Sequence, residues 1–221
     1  IETLNNNLNK ISDLNFKNIS INIINYVNEN LENDFMYITL NTIFNKCLLE
    51  HLYSHLYAEL LKMLVKCYGE KFNKLILEKT EDFYNNNISK VFSINTNIDY
   101  NKLCEINKEK TKLLGSFILI GCLYKNNIVN FELVLKYCNI LFENSLYGEE
   151  DKNYLEKYVE CLISLLENVG FNLELELGKD RFNLEIMEKV NLIQSNKLRF
   201  KPRIRFLVMD LIDLSQNNWK K

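Results

Sequence analysis

Apolar residues recur every three or four positions along most of the chain, which is the spacing of an amphipathic helix. Stripes of this kind start near Phe16, Met36 and Leu52, and another runs from Tyr100 to Lys125. Further stripes cover residues 72–83, 133–141, 155–169, 182–193 and 204–214. The pattern predicts an all-α chain with about ten helices, each roughly 10–25 residues long.

Breaks in the pattern predict where these helices begin and end. The period is lost over residues 88–98, where we expect a long loop, while Ser12 and Gly170 are expected to cap helices. Antiparallel neighbours are implied by short links near residues 33, 50, 127 and 171. Helix pairs of roughly 40 residues fit the period of HEAT-like arrays, so the chain length predicts an α-solenoid of about five such pairs.

The composition excludes several other architectures. With 6 Gly and 1 Pro in 221 residues, the chain lacks the turn residues of a β-sandwich or a many-stranded barrel. It also lacks the Gly-rich first turn of a doubly wound fold. The 34 Asn residues and the single alanine, Ala58, resemble low complexity, but 47% hydrophobic residues are too many for a disordered chain.

Charge is unevenly distributed, although the formal net charge is only −2. So small a net charge argues against a protein dominated by nucleic-acid binding. Residues 143–188 carry 12 acids and 4 bases, whereas residues 197–205 carry five bases and no acid. The asymmetry indicates either two different contact surfaces or simply a solvated acidic face beside a basic tail. The basic stretch is suited to phosphates or to an acidic partner protein.

The six cysteines include no CxxC pair, and Cys47, Cys122, Cys138 and Cys161 fall within apolar stripes. We therefore expect six free thiols in a reducing compartment. The first residues do not have the basic start and apolar run of a signal peptide. Since the sequence opens without Met, we expect a fragment of a longer scaffold, folded as a single domain over 1–221. The longest apolar stretch is about half the length of a membrane span.

Two pairs of side chains have the spacing of a metal or acid–base site. His51 and His55 are four residues apart on one helical face, but the Glu that a metalloprotease places beside the first His is absent, so we expect surface histidines. Asp210 and Asp213 are spaced to hold Mg²⁺ or to share proton transfer. No second acidic cluster accompanies them, and we expect a surface charge network with Arg203 instead.

No motif of nucleophilic catalysis stands out. Ser116 lies beside Gly115 within a helical stripe, which is not the strand–turn–helix context of a nucleophile elbow. Gly115 and Gly121 are instead expected to permit close helix packing. No phosphate-binding loop, dinucleotide motif or Cys–His dyad can be assembled with any specificity. The sequence predicts a protein that is not an enzyme and that needs no metal or cofactor.

The most specific motif lies at the C-terminal end, where residues 203–219 match the pattern R-I-R-F-x-x-x-D-x-x-D-L-x-x-x-x-W. Its matching positions are Arg203, Ile204, Arg205, Phe206, Asp210, Asp213, Leu214 and Trp219. Residues 8–16 resemble L-N-K-L-T-x-x-x-F, with Ile11 and Ser12 in place of L and T, and residues 43–58 resemble I-F-x-K-A followed by Y-A, with Cys47 in place of A. Residues 114–124 and 155–170 resemble two further blocks in the same order, although the first departs from the family pattern at Phe117, Leu119 and Cys122. By these motifs, nearly the whole chain resembles the middle domain of eukaryotic translation initiation factor 4 gamma.

The resemblance implies a stack of five HEAT-like helix pairs that acts as a scaffold and does no chemistry itself. Its partner would be the DEAD-box RNA helicase initiation factor 4A, whose two lobes the family holds in a productive closed arrangement. Carried over by motif, helicase contacts would use Asn9, Lys10, Ile11, Ser12, Glu50, His51, Arg203 and Arg205. Contacts to RNA would use Lys197, Arg199 and Lys201.

The resemblance also implies a cytoplasmic protein that meets other initiation factors and neither a membrane nor a small-molecule substrate. We expect Phe206 to be a core residue and Trp219 to close the last repeat. The alternative is a paralogous middle domain of an mRNA decay, nuclear cap-binding or poly(A)-binding-protein-interacting factor. An all-α enzyme that uses Asp210 and Asp213 is a further alternative.

Overall fold

The computed structural model describes residues 2–30, 33–91, 100–149 and 152–220. The helices are α1 (Glu2–Leu8), α2 (Phe16–Glu29), α3 (Asn33–Leu49), α4 (Ser54–Tyr68), α5 (Glu70–Val91), α6 (Tyr100–Lys125), α7 (Phe131–Tyr147), α8 (Lys152–Leu177), α9 (Lys179–Phe182), α10 (Glu188–Ser195) and α11 (Pro202–Gln216). A 3₁₀ turn (His51–Tyr53) precedes α4, and a π-helical turn (Asn183–Met187) joins α9 to α10. The described residues contain no strand, which confirms the predicted all-α class.

The hydrophobic pattern predicts both ends of α6 correctly but not the end of α5. Helix α6 spans Tyr100–Lys125 as predicted. Helix α5 continues to Val91, so the first residues of the predicted loop over 88–98 are helical. The spacing of Tyr84, Ile88 and Val91 is helical, which explains the continuation. The rest of that predicted loop lies outside the described residues.

Both predicted capping residues are wrong. Gly170 lies inside α8, which runs on to Leu177 and ends at Gly178, a glycine with left-handed backbone (φ 78°). The predicted link near residue 171 is therefore helical. Ser12 does not precede α2 directly, because the turn before that helix runs on to Asn15. Asparagine is a common residue in such turns, and this one bonds to the turn backbone rather than to the helix.

The chain divides into two compact units, Ile1–Ile128 (unit 1) and Val129–Lys221 (unit 2). In unit 1, α3 and α4 pack against α6. Gly115 on α6 permits this approach, because a Cβ there would lie 2.4 Å from the carbonyl oxygen of Leu48 on α3. The expected role of Gly115 in close packing is confirmed. That residues 1–221 form a single domain stays a prediction.

In unit 2, α7 packs against α8, and α8 and α10 pack against α11. The short connections make α7 and α8, and likewise α10 and α11, antiparallel pairs. Helices α8 and α11 instead run in the same direction. Their contacts, in chain order, are Glu156 with Lys201, Glu160 with Arg203, and Glu174 with Trp219.

The buried side chains follow the predicted stripes. All six cysteines are free, and Cys47, Cys122, Cys138 and Cys161 are buried as expected. Burial raises the pKa of each of these four thiols, so they behave as small apolar groups. Of the helices that the structure describes, none combines the length and the apolarity needed to cross a membrane.

Candidate partner-binding surfaces

The turn between α1 and α2 is held by its own side chains. The Asn15 amide accepts a hydrogen bond from the Ser12 N–H (2.8 Å) and donates one to the Lys10 carbonyl (2.7 Å). Among the predicted contact residues, Asn9 and Lys10 are exposed and Ser12 is half-buried. Ile11 is only 6% exposed, so its side chain anchors the turn in the core of unit 1 and is not offered to a partner.

The link between α3 and α4 carries Glu50, whose carboxylate is held from two sides. Lys46 Nζ donates to Oε1 at 2.7 Å, and the hydroxyl of buried Tyr57 donates to Oε2 at 3.0 Å. Burial, and then the Glu50 charge, raise the pKa of Tyr57, so its hydroxyl stays protonated and remains a donor. The Glu50 side chain is nevertheless 44% exposed. Glu50 therefore stabilises the link through these two hydrogen bonds, while much of its side chain remains accessible to solvent.

One side-chain pair joins the turn to the link. His55 Nε2, in the first turn of α4, lies 3.2 Å from Asp13 Oδ1. His51 is half-buried in the preceding 3₁₀ turn, so the two histidines do not share one face of an α-helix as expected. Residues 9–15 and 49–55 thus lie side by side on unit 1, and together we call them the turn–link surface.

The turn–link surface is more apolar than the sequence indicated. Its exposed hydrophobic side chains, with their exposed fractions, are Leu14 (100%), Leu52 (78%), Leu49 (42%) and Tyr53 (42%). Leu52 was assigned to the buried stripe of α4, but it precedes the helix and lies in a 3₁₀ turn, which has a different period. The sequence did contain a signal for the exposure of Leu14, because this leucine lies outside the apolar stripe that begins at Phe16.

An open groove of about 330 Å³ lies beside this surface, between α1 and α3. Its lining residues are Asn5, Thr42, Asn45, Lys46, Leu49 and Glu50. Most of these side chains are polar, and Leu49 and Glu50 belong to the turn–link surface as well. The groove therefore extends the surface from the link toward α1.

In unit 2, the guanidinium group of Arg199 is occupied by the end of α7. Its Nε donates to the Ser145 carbonyl at 2.7 Å, and its Nη2 donates to the Gly148 carbonyl. The last carbonyls of a helix lack partners within the helix and carry partial negative charge, so a cation stabilises them. Arg199, predicted to contact RNA, is thus a capping residue of α7.

Two further basic residues pair with acids on α8. Lys201 Nζ lies 3.6 Å from Oε2 of buried Glu156, and Arg203 Nη2 donates to Glu160 Oε1 at 2.5 Å. Burial alone would raise the pKa of Glu160, but hydrogen bonds from Lys157 and Arg203 outweigh burial and leave that pKa below its usual range. These pairs fix the start of α11 on α8.

The remaining basic residues differ in their surroundings. Arg205 is half-buried, and its Nε donates to the Gln194 carbonyl at 2.8 Å. Lys197 is exposed in the turn that precedes α11. The basic stretch is therefore largely a network that holds α7, α8, α10 and α11 together.

The outer side of α11 is partly apolar. Phe206 is 62% exposed and Met209 is 40% exposed, while Ile204, Val208 and Leu211 fill the buried side. The expectation that Phe206 is a core residue is wrong. Since buried positions on this helix follow the spacing of Ile204 and Val208, Phe206 faces outward beside Arg203 and Arg205.

The two aspartates of α11 form no charge network with Arg203, because Arg203 pairs with Glu160 instead. That expectation is wrong. Asp210 and Asp213 are exposed. In the part of the chain that the structure describes, no group of three or more His, Cys, Asp or Glu side chains is placed to hold a metal ion.

Comparison with known proteins identifies the family. Residues 1–218 match the family model of the MIF4G domain, so the chain belongs to the MIF4G domain family. It is 32% identical over 116 residues to eukaryotic translation initiation factor 4G of Cucumis melo, and 29% identical over 110 residues to eukaryotic translation initiation factor 4 gamma 1 of Mus musculus. It is 28% identical over 112 residues to eukaryotic translation initiation factor 4 gamma of Dictyostelium discoideum. These matches cover 50–52% of this chain but only 6–8% of the relatives.

Proposed function

We propose that this chain is the scaffold domain of a translation initiation factor and binds the DEAD-box RNA helicase initiation factor 4A. Its family and the initiation factors among its relatives support this role. The observation that carries the proposal is the turn–link surface. Two segments about 40 residues apart, each expected to contact the helicase, are joined there through Asp13 and His55. The names of the relatives favour initiation over mRNA decay or nuclear cap binding, and such a role is cytoplasmic.

A second contact on unit 2 would make the domain a scaffold rather than a simple ligand. Arg203 and Arg205 stand near the start of α11 with exposed Phe206 beside them, which is a combination typical of interface cores. A protein that contacts both lobes of a helicase favours whichever lobe arrangement it fits best. A preference of about 1.4 kcal/mol for the closed arrangement would raise its population relative to the open one tenfold.

RNA would be a weaker ligand of the basic stretch. Arg199 donates hydrogen bonds to helix carbonyls, and Lys201 lies beside Glu156. Each of them would therefore contact a phosphate while it also keeps its partner within the protein. Lys197 and Lys201 are exposed, whereas Arg199 is half-buried. We expect low affinity that falls steeply with salt, as for any binding dominated by phosphate contacts.

The proposal is tested by titrating initiation factor 4A with the chain and measuring affinity and RNA-stimulated ATP hydrolysis. The wild-type chain is expected to bind and to raise the hydrolysis rate. Lys10→Glu, a charge reversal on the turn–link surface, should weaken binding about fivefold or more without lowering the melting temperature. The matched control is Lys66→Glu, which reverses an exposed charge near the other end of α4, roughly 18 Å from Ser54.

Absence of both binding and ATPase stimulation by the wild-type chain would contradict the proposal. Equal losses for Lys10→Glu and Lys66→Glu would show that overall charge, and not the turn–link surface, governs binding. A large fall in melting temperature for Lys10→Glu would instead assign this lysine to the internal network of the fold.

A further inference from the structure

Two leucines on the turn–link surface are largely exposed to solvent. Leu14 is fully exposed and Leu52 is 78% exposed, with Leu49 and Tyr53 each 42% exposed on the same surface. Scattered apolar side chains are normal on protein surfaces, but a group of large ones rimmed by polar residues marks an interaction site. The group needs an explanation that the packing of unit 1 does not supply.

The backbone that carries both leucines is fixed. Leu14 stands between Asp13, paired with His55, and Asn15, whose amide spans the turn with two hydrogen bonds. Leu52 lies in a 3₁₀ turn closed by the hydrogen bond from the Tyr53 N–H to the Glu50 carbonyl at 3.0 Å. Side chains presented on rigid turns lose little backbone entropy when a partner covers them, so their burial is converted more fully into affinity.

Several polar side chains around the leucines are already engaged. The Glu50 carboxylate accepts hydrogen bonds from Lys46 and Tyr57, and Asp13 pairs with His55. A partner that competed for these groups would have to break existing bonds. Burial of the leucine side chains breaks no hydrogen bond or ion pair, and their removal from water is favourable in itself.

We propose that Leu14 and Leu52 are the apolar anchors of the helicase contact and that each enters a hydrophobic recess on the helicase lobe that covers the turn–link surface. This inference rests on the proposed function and adds the chemistry of the contact. The charged residues Lys10, Asp13 and Glu50 form the rim, which excludes water and sets register. We therefore expect the helicase surface that covers these residues to be apolar at its centre and polar at its edge.

The salt dependence of the affinity distinguishes an interface with an apolar centre from one that is dominated by charge. Exposed ion pairs weaken as salt rises, whereas hydrophobic burial does not. The affinity of the wild-type chain for the helicase is therefore expected to change less than about threefold between low and moderate salt, while Lys10→Glu acts mainly on the association rate.

The experiment compares Leu14→Ser, Leu52→Ser and the double variant with Leu184→Ser. Leu184 belongs to unit 2 and is 62% exposed, so its replacement removes a comparable apolar area that is not part of the turn–link surface. Each single variant should lower helicase affinity about tenfold and the double variant about fiftyfold or more, chiefly through faster dissociation. Melting temperatures should stay within a degree or two of wild type, and Leu184→Ser should bind as wild type.

The outcomes separate the two proposals. If the wild-type chain does not bind the helicase, the proposed function fails and this inference fails with it. If the wild-type chain binds and Leu14→Ser and Leu52→Ser bind equally well, only this inference is overturned. If the wild-type chain sediments as a dimer that Leu14→Ser dissociates, the leucines contact a second copy of the chain and the inference is likewise overturned.

Discussion

The indole of Trp219 occupies the space that a side chain at Gly170 would need. A Cβ on Gly170 would lie 2.1 Å from Cη2 and 2.3 Å from Cζ3 of that ring. The indole N–H donates to Glu174 Oε2 at 2.8 Å, and its ring meets the ring of Phe182 edge-on with centroids 6.0 Å apart. A glycine inside a helix costs about 1 kcal/mol relative to alanine. Here that glycine allows the tryptophan to close the last helices of unit 2.

Gly170→Ala should therefore destabilise unit 2 by about 1–3 kcal/mol, because the new methyl group displaces the indole. Trp219 is the only tryptophan, so its fluorescence reports the displacement as a shift to longer wavelength. Thermal melting measures the energetic cost. In a Trp219→Ala background the same glycine change should become stabilising by roughly 0.5–1 kcal/mol, since only helix propensity remains. A cost that is equal in both backgrounds would show that the two residues are not coupled.

Gly115→Ala should destabilise unit 1, because the added methyl group would collide with backbone atoms of Leu48. The added methyl group would meet the Leu48 carbonyl oxygen at 2.4 Å, and a main chain cannot rotate away as a side chain can. We expect a loss of about 1–3 kcal/mol, measured by urea unfolding. Ser116→Ala on the next residue is the control, since its hydroxyl bonds to the Leu113 carbonyl of its own helix. Unchanged stability of Gly115→Ala would contradict the close approach of α3 and α6.

The hydrogen bonds from Lys157 and Arg203 to Glu160 should make stability depend on pH in one direction. The pKa of Glu160 is lower in the folded chain than in the unfolded chain, so its contribution is fully present above the unfolded pKa and is lost as the pH falls through the folded pKa. Glu160→Gln should cost about 1 kcal/mol at pH 7 and progressively less below about pH 4.5. Melting curves across pH 3–7 test this. A cost that is independent of pH would exclude the ion pairs of Glu160 with Lys157 and Arg203 as its cause.

Substitution of Arg199 and of Lys197 should show which residues of the basic stretch are structural and which bind RNA. Arg199→Met removes the side-chain donors that cap α7 and should cost about 1.5–3 kcal/mol of stability. Lys197→Met changes an exposed cation and should leave the melting temperature unaltered. If the stretch contacts RNA, Lys197→Met should still weaken RNA binding and reduce its salt dependence. Wild-type RNA affinity in Lys197→Met would remove this lysine from the proposed RNA contact.

The helical fold could be predicted because one signal recurs throughout the chain. Each stripe has the period of a buried helix face, so the all-α class and the bounds of α6 could be predicted from spacing alone. The ends of α5 and α8 could not be predicted in this way. Gly170 was interpreted as a helix end because glycine commonly ends helices, whereas its position is set by Trp219, a contact across 49 residues of sequence.

The candidate surfaces were only partly predictable, for a similar reason. Sequence motifs selected residues 9–12 and 50–51, but no local pattern states that Asp13 and His55 meet. Nor could spacing show that Arg203 pairs with Glu160, since both Glu160 and Asp210 were available by charge. The exposure of Leu14 and Phe206 likewise depends on which neighbours cover a position, and that is a property of the tertiary structure.

The parallel packing of α8 and α11 limits how the length of this chain can vary. Glu156 and Glu174 are 18 residues apart, and their partners Lys201 and Trp219 are also 18 residues apart. Eighteen residues make five turns of α8, so both of its contacts emerge on the same side. One residue inserted between the contacts on either helix alone would rotate the far contact by about 100° and advance it by about 1.5 Å. The two segments are therefore matched in length, and an insertion into only one of them is expected to break the contact between Glu174 and Trp219.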